Sequence, residues 1–481
     1  MSVPMSSTRV RRWSCVSASN QPTSLSNYAT SRSNYALNLK TSGFDHGDST
    51  ASRTGASNKV DDAALRLEAE NSAIALVAGT TVGAGVLALP SVSYEVGFFP
   101  SLGGLVIAWL VMVSSSLSIA EVSANLAKQD AEKFEGKSFL TLIQGVFGQQ
   151  GYYLATFVYI SLHYALLVAY DSGAADVIAR ATGLPENTSV ALFAATMGLV
   201  CGFGTESFVS LVNNSFFALV LAAFAGLLVI GIPAITPSHL IETFRPALLG
   251  SALPVMVLSF VHHNIVPTVS QSLQYDKERI VRTVLAGSGI PLVMFLLWNA
   301  VVLGIGPVNS IDNVDAFTDR SSFDSVAILS SVGGAEKGGI VASELAEVFS
   351  GAAIITSFIG FFIGLTAFFE DAFGASTEKE KEEEGGLDAV DLGIIAAVTI
   401  PPAVFAIAYP SIFVSTLDLA GTYGISILFL LVPSVMSLLL RERSDNYESF
   451  QPLSGDMETL LPVVSIACAL GLIVQKAFFT L

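Results

Sequence analysis

The chain has 481 residues, 52% of them hydrophobic and only 13% charged, with a formal net charge of −17 and a mean hydropathy of +0.63. A soluble domain carries roughly twice that charged fraction, so a single soluble core is excluded and an all-α polytopic membrane protein is indicated. No basic patch suggests a nucleic-acid partner, and Cys15, Cys201 and Cys468 are too scattered for a disulfide framework or a metal site.

Residues 1–70 differ from everything after them. Met1 to Phe44 contain no Asp or Glu, while Arg9, Arg11, Arg12, Arg32 and Lys40 supply positive charge among many serines. That is the composition of a chloroplast or mitochondrial transit peptide, and the lack of an apolar h-region argues against a secretory signal. An ordinary disordered cytosolic tail has a similar composition. Residues 1–70 are therefore set apart as a transit peptide and lead-in, with Asp61 to Glu70 a short polar or helical approach to the membrane. Residues 71–481 are expected to form the membrane domain.

Apolar windows then follow near 72–94, 98–127, 150–180, 188–204, 208–232, 247–271, 281–306, 342–372, 389–408, 411–440 and 459–479. Each is long enough to span the roughly 30 Å hydrocarbon core as a helix, which predicts about eleven spans. The third and eighth exceed the bilayer thickness and are expected to tilt. The longest loop, Val308 to Gly339, contains an FDSVAILSSV stretch that reads as a small interfacial helix. The acidic runs Asp312–Asp324 and Glu378–Glu384 read as solvated loops.

The first window is the weakest helix of the set. Asn71 to Tyr94 contains Gly79, Gly83 and Gly85, the β-branched run Thr80-Thr81-Val82, and Pro90. Glycine and β-branched residues lower helix stability. Taken alone, the pattern fits a helix with small residues for close packing or a discontinuous helix whose broken ends hold a polar ligand. The sixth window favours the second reading. In Leu253 to Ser270, His262, His263 and Asn264 interrupt the apolar run and Pro267 follows. Proline suits the first turn of a new helix, so one half-helix is expected to end near Phe260 and another to start near Pro267. Two interrupted segments in corresponding positions point to a secondary-transporter site.

Basic residues set the orientation. Loops 2–3, 6–7, 8–9 and 10–11 carry Lys128, Lys133, Lys137, Lys277, Arg279, Arg282, Lys379, Lys381, Arg441 and Arg443. The opposite loops carry only Arg180, Arg245, Arg320 and Lys337. The N-terminus therefore faces the cytosol-equivalent side. The two breaks lie about 180 residues apart, each opening a group of five spans. An odd number of spans per group forces the second group to start from the opposite side, as an inverted repeat requires.

Several motifs together carry a family resemblance. The run Val77 to Pro90 resembles the first helix of the bacterial tyrosine/tryptophan permeases, the hydroxy and aromatic amino acid permease family. Further similarity lies in Tyr164-Ala-Leu and Ser172-Gly-Ala of the third window, Leu253-Pro-Val through Pro267 of the sixth, and Ile290-Pro-Leu-Val with Trp298 of the seventh. It continues in Thr356-Ser-Phe with Gly364-Leu of the eighth, then Pro401-Pro-Ala, Tyr409-Pro and Val432-Pro-Ser. It covers nearly the whole chain after about residue 70. The resemblance implies a leucine-transporter-type fold, a five-plus-five inverted repeat with helices 1 and 6 discontinuous, plus an eleventh helix. It also implies proton-coupled transport of an aromatic amino acid, with no cofactor. Asp171 and Asp418 depart from the family pattern. The basic, serine-rich extension is absent from the bacterial proteins and resembles that of a plant or algal plastid member, which implies the inner membrane of the chloroplast envelope. A mitochondrial or other membrane is the alternative.

A zwitterionic amino acid needs a partner for each charge. Amides heading the second half of span one, at Gly83, Ala84 and Gly85, suit the carboxylate. Carbonyls near Ala78, Gly79 and Thr80 suit the ammonium or a cation. Phe260, His263 and Asn264 at the second break, with Tyr164 in span three, are expected around the side chain. Ionisable residues inside spans are functional candidates by default, so His263 and Asp418 are candidates for ion coupling. Thr356 and Ser357 resemble the pair that meets span-one carbonyls in sodium-coupled relatives of this fold. A sodium-coupled or broader neutral amino acid carrier is the alternative within this class. A channel or a membrane-embedded enzyme is more remote, because no repeated polar stripe, Gly-x-Ser-x-Gly or His-Glu-x-x-His motif occurs. The partners expected are a small amino acid and the lipid bilayer.

Overall fold

Apolar runs of this length become helices because a bilayer leaves backbone N–H and C=O groups no water to bond. The structure, a computed structural model, describes residues 54–306, 328, 337–373, 389–409, 412–444, 446–451 and 458–479. Most of the transit-peptide segment, the Glu378–Glu384 run, and the loop carrying Asp312–Asp324 and FDSVAILSSV (apart from Ile328) lie outside the described residues.

The main helices are α1 (Thr54–Thr81), α2 (Gly85–Tyr94), α3 (Phe98–Gln129), α4 (Phe139–Thr182), α5 (Glu186–Phe203), α6 (Glu206–Gly231), α7 (Leu249–Leu258), α8 (Val266–Ser272), α9 (Lys277–Ile305), α10 (Lys337–Phe373), α11 (Ala389–Ala408), α12 (Phe413–Arg443) and α13 (Leu460–Phe479). Among the described residues nine helical segments are long and apolar enough to cross a membrane, or ten when α1 and α2 count as one bent span. The remaining predicted window is α5, whose 18 residues open on the polar Glu186-Asn-Thr-Ser. At 1.5 Å per residue it is about 27 Å long.

Both interruptions fall where the local chemistry places them. The chain bends by 54° between α1 and α2, across Val82, Gly83 and Ala84. Val82 still bonds back to the Ala78 carbonyl at 3.0 Å, whereas Val86 and Leu87 reach only Gly83 and Ala84, both at 3.1 Å. In the sixth span α7 stops at Leu258, His262 has a non-helical φ of −143°, and a 3-10 turn over His263–Ile265 leads into α8. Pro267 lies in the first turn of α8, where its missing N–H costs nothing. α4 covers 44 residues because two helices join across Gly148, at φ 71° and ψ −166°, which separates a short leading segment from the span itself.

One large apolar core runs through the bundle, and a small second cluster of Val168, Ala175, Val190, Ala194, Ala403 and Ala406 lies where α4, α5 and α11 meet. α10 packs on α6 and α4, α9 packs on α1 and α3, and α12 packs on α4, α7 and α13. The middle of α12, Ala420–Leu431, is π-helical, and π-turns are frequent at functional sites.

The basic end of the bundle is tied by side chains. Glu121 of α3 is fully buried. It accepts from Arg441 Nη2 at 3.0 and 3.1 Å, from the Phe450 amide at 2.8 Å, and from the Ser437 hydroxyl. Asn125 exchanges hydrogen bonds with the Glu448 backbone at 2.9 and 3.0 Å. Glu70 of α1 accepts from Arg282 at 2.9 and 3.2 Å and pairs with Arg279 at 3.5 Å, binding α1 to the start of α9. Basic residues of loops 6–7 and 10–11 thus pair with carboxylates of α1 and α3.

Candidate functional site

A broken helix exposes amides that have no carbonyl one turn back. Ala84, the residue preceding α2, has no capping side chain of its own. Its amide instead donates to Ser357 Oγ of α10 at 2.7 Å. A serine oxygen is the usual N-cap acceptor, and here it comes from another span. The Tyr170 hydroxyl of α4 lies within hydrogen-bonding reach of the same serine. Ser357 therefore joins α4, α10 and the break of the first span.

Gly83 and Gly85 allow this approach. A Cβ on Gly83 would sit 2.5 Å from Ser357 Oγ, and one on Gly85 would sit 2.9 Å from Ser259 Oγ and 3.2 Å from Ser259 Cα. Ser259 ends α7, so Gly85 is where the two broken helices touch. From Ser259 the second break continues to Phe260, His262 and His263, all fully buried. The His262 ring nitrogen Nδ1 lies 2.9 Å from the Phe260 carbonyl. His263 faces the Met112 carbonyl of α3 without a hydrogen bond of good geometry to either ring nitrogen. Its ring packs 5.1 Å from His262 and 5.1 Å from Phe429 in the π-helical part of α12.

The predicted site residues thus separate into two groups. The structure brings together Gly83, Ala84, Gly85, Ser357, Phe260 and His263 along the two breaks. Phe260 also packs on Phe295 of α9, with ring centroids 5.2 Å apart. The others have the following surroundings. Gly79 packs toward Phe217 of α6. Thr80 is exposed and bonds its own helix, to the Leu76 carbonyl at 2.8 Å. Asn264 is exposed. The Tyr164 hydroxyl donates to the Ala397 carbonyl of α11 at 2.8 Å. Thr356 bonds the Ala353 carbonyl of its own helix at 3.0 Å, so within the Thr356–Ser357 pair only Ser357 is shown reaching span one, through an amide. Asp418 pairs with Lys476 of α13 at 2.6 Å. Among the described residues no group of three or more His, Cys, Asp or Glu side chains is arranged to hold a metal ion.

Sequence reasoning missed two features of the site. Ser259 carries no signal beyond its position before the histidines. His163 of α4 is buried beside α10, its Nδ1 2.8 Å from the Tyr159 carbonyl, its ring tilted against that of Tyr159 with centroids 3.9 Å apart and edge-on to Phe361 at 5.1 Å. Gly364 leaves room for that pair, since a Cβ there would approach His163 Nε2 to 3.3 Å. A histidine inside an apolar window was the available signal.

The arrangement offers backbone amides, hydroxyls and aromatic faces around two helix ends, with no activated nucleophile among them. Residues 70–474 match the model of the tryptophan/tyrosine permease family. The chain is 33% identical over 354 residues to the tyrosine-specific transport system 1 of Haemophilus influenzae, covering 72% of this chain and 82% of that protein. It is 29% identical over 356 residues to tyrosine-specific transport system 2 of the same organism, with the same coverages of 72% and 82%. It is also 26% identical over 406 residues to the low affinity tryptophan permease of Escherichia coli O157:H7, covering 82% and 91%.

Proposed function

The chain belongs to the tryptophan/tyrosine permease family, and from that premise we propose that it is a secondary active transporter of aromatic amino acids, with tyrosine its first substrate. It is an integral membrane protein and not an enzyme. The observation that carries the proposal is the meeting of the two breaks. The breaks at Val82–Ala84 and at Ser259–His262 meet at the Gly85–Ser259 contact, and aromatic residues flank both breaks. Backbone groups read the ammonium and carboxylate of any amino acid alike, so selectivity belongs to the side chains. Aromatic pairs add about 0.5–1.5 kcal/mol beyond area burial, and a polar group placed to bond a tyrosine hydroxyl disfavours phenylalanine strongly, because the group is otherwise left unpaired.

In this reading the domain is a five-plus-five inverted repeat of the leucine-transporter type with an additional last helix, and it works by alternating access. Transport is coupled to protons, with His263 in the coupling path because histidine changes charge near neutral pH. Asp418 has a standing partner in Lys476 and is the weaker coupling candidate. The membrane proposed is the inner envelope of a plastid. Purified protein in liposomes, offered a panel of amino acids under imposed pH or Na⁺ gradients, tests all but the location. Tyrosine should accumulate first, tryptophan and phenylalanine next, and alanine and lysine little, with the pH gradient driving uptake. Uptake that follows Na⁺ and ignores the pH gradient overturns the coupling, and makes Ser357 with the backbone of the first break the cation site to examine.

A further inference from the structure

A carboxyl away from the two breaks lacks any hydrogen-bond partner among the described residues. Asp171 of α4 is 1% exposed, and neither of its side-chain oxygens is hydrogen-bonded. Helical spacing shows what surrounds it. Val168 and Ala175, one turn to either side, belong to the apolar cluster with Val190 and Ala194 of α5 and Ala403 and Ala406 of α11. Tyr164, two turns earlier on this face, bonds α11. Asp171 thus lies on the face of α4 that meets α5 and α11. Ionised there it is an uncompensated charge in apolar surroundings, whereas the acid form is neutral.

The titratable groups on the elements packed around α4 make no hydrogen bond to the Asp171 carboxyl. α10 brings Glu344, Glu347 and Glu370, α5 brings Glu186, and α11 brings Asp391, and none hydrogen-bonds Asp171. α12 brings Asp418, which Lys476 engages. At the basic end α3 and α12 bring Glu121 and Arg441, paired with each other. On α4 itself His163 is bonded to the Tyr159 carbonyl, and Asp176 and Arg180 lie in the turns beyond Asp171.

The next residue in the chain, Tyr170, reaches Ser357, and Ser357 holds the Ala84 amide at the first break. A movement of α4 that opens the Asp171 side therefore also disturbs the ligand that caps the broken helix. The alanines of α4, α5 and α11 at this junction present little bulk against such a shift.

From this placement we propose that Asp171 is a proton-binding site of the transport cycle, an assignment that rests on the proton-coupled reading above. An O–H bond forms at one Asp171 oxygen when the junction is open to one aqueous side. The proton is held while the junction is closed, as it is in this conformation, and the O–H bond breaks when the junction opens to the other side.

The test uses full-length protein in liposomes containing a pH-sensitive dye, with tyrosine as the probe. In the wild-type protein a pH gradient should drive accumulation and tyrosine addition should move protons. In Asp171→Asn, gradient-driven accumulation should fall at least tenfold while exchange of labelled for unlabelled tyrosine persists. A wild-type protein that ignores the pH gradient overturns the coupling reading and this assignment with it. A wild-type response that Asp171→Asn reproduces within twofold overturns this assignment alone. Should Asp171→Asn lose exchange as well, the wild-type protein decides. Its infrared difference spectrum between substrate-free and tyrosine-loaded states should contain a protonated-carboxyl band that shifts in D₂O, and the lack of such a band overturns the assignment.

Discussion

Ser357 and Thr356 are neighbours on α10, yet their hydroxyls serve different ends. Ser357 accepts from Ala84 at 2.7 Å, and Thr356 turns back to Ala353 at 3.0 Å. Removing Ser357 Oγ leaves a buried amide without its acceptor, which costs about 1–2 kcal/mol. Ser357→Ala should therefore weaken apparent tyrosine affinity about five- to thirtyfold, measured as KM for uptake into liposomes. Thr356→Ala removes a bond made within one helix, and should leave KM within about threefold. Equal effects of the two substitutions would contradict this assignment of roles. Gly85 poses a steric question. Its missing Cβ lies 3.2 Å from the Ser259 backbone and closer still to that hydroxyl. Gly85→Leu should reach the membrane and fail to transport tyrosine. Gly85→Ala should be impaired less, and a second change, Ser259→Gly, should restore part of its rate by removing the hydroxyl contact. If Gly85→Leu transports normally, the two breaks are not where substrate binds.

At the scale of elements, α3, α12 and residues 448–451 are held together by a buried charge. Glu121 is fully buried and accepts from Arg441, Ser437 and the Phe450 amide. Removing one member of such a pair strands the other, typically at about 3–5 kcal/mol, whereas replacing both by apolar residues is far milder. Glu121→Ala should accordingly lower the thermal unfolding midpoint in detergent by much more than the double change Glu121→Leu with Arg441→Met. A double variant as unstable as the single one would show that shape, and not charge, matters there. The same logic separates Asp418 from Asp171. Both are carboxyls inside apolar windows, but Lys476 answers the first at 2.6 Å and no described group hydrogen-bonds the second.

For the whole molecule, the basic residues on one set of loops and the acid-free start bear on where the protein resides and how it is inserted. The ion pairs of Glu70 with Arg279 and Arg282, and of Glu121 with Arg441, join residues from the side to which loop charge assigned the N-terminus. A fusion of residues 1–70 to a fluorescent protein should enter a plastid or mitochondrion. Diffuse cytosolic fluorescence would refute the targeting proposal without touching the transport one.

What the sequence determined by itself is what depends on local chemistry. Apolar length placed the membrane-crossing helices to within a few residues in most cases, because a bilayer demands continuous helix of fixed length. Glycine, β-branched residues and proline marked both breaks, because these residues alter the backbone at their own positions. The tertiary structure alone decided which side chain answers which. Ala84 and Ser357 are 273 residues apart in the chain, and Asp418 and Lys476 are 58 apart. Tyr164 was expected at the substrate and its hydroxyl is tied to Ala397, Glu121 is buried against Arg441, and His163 was not singled out. Each outcome turns on which helix lies alongside and how it is rotated. That choice comes from packing summed over many weak contacts along the helices, and no single residue or motif encodes it.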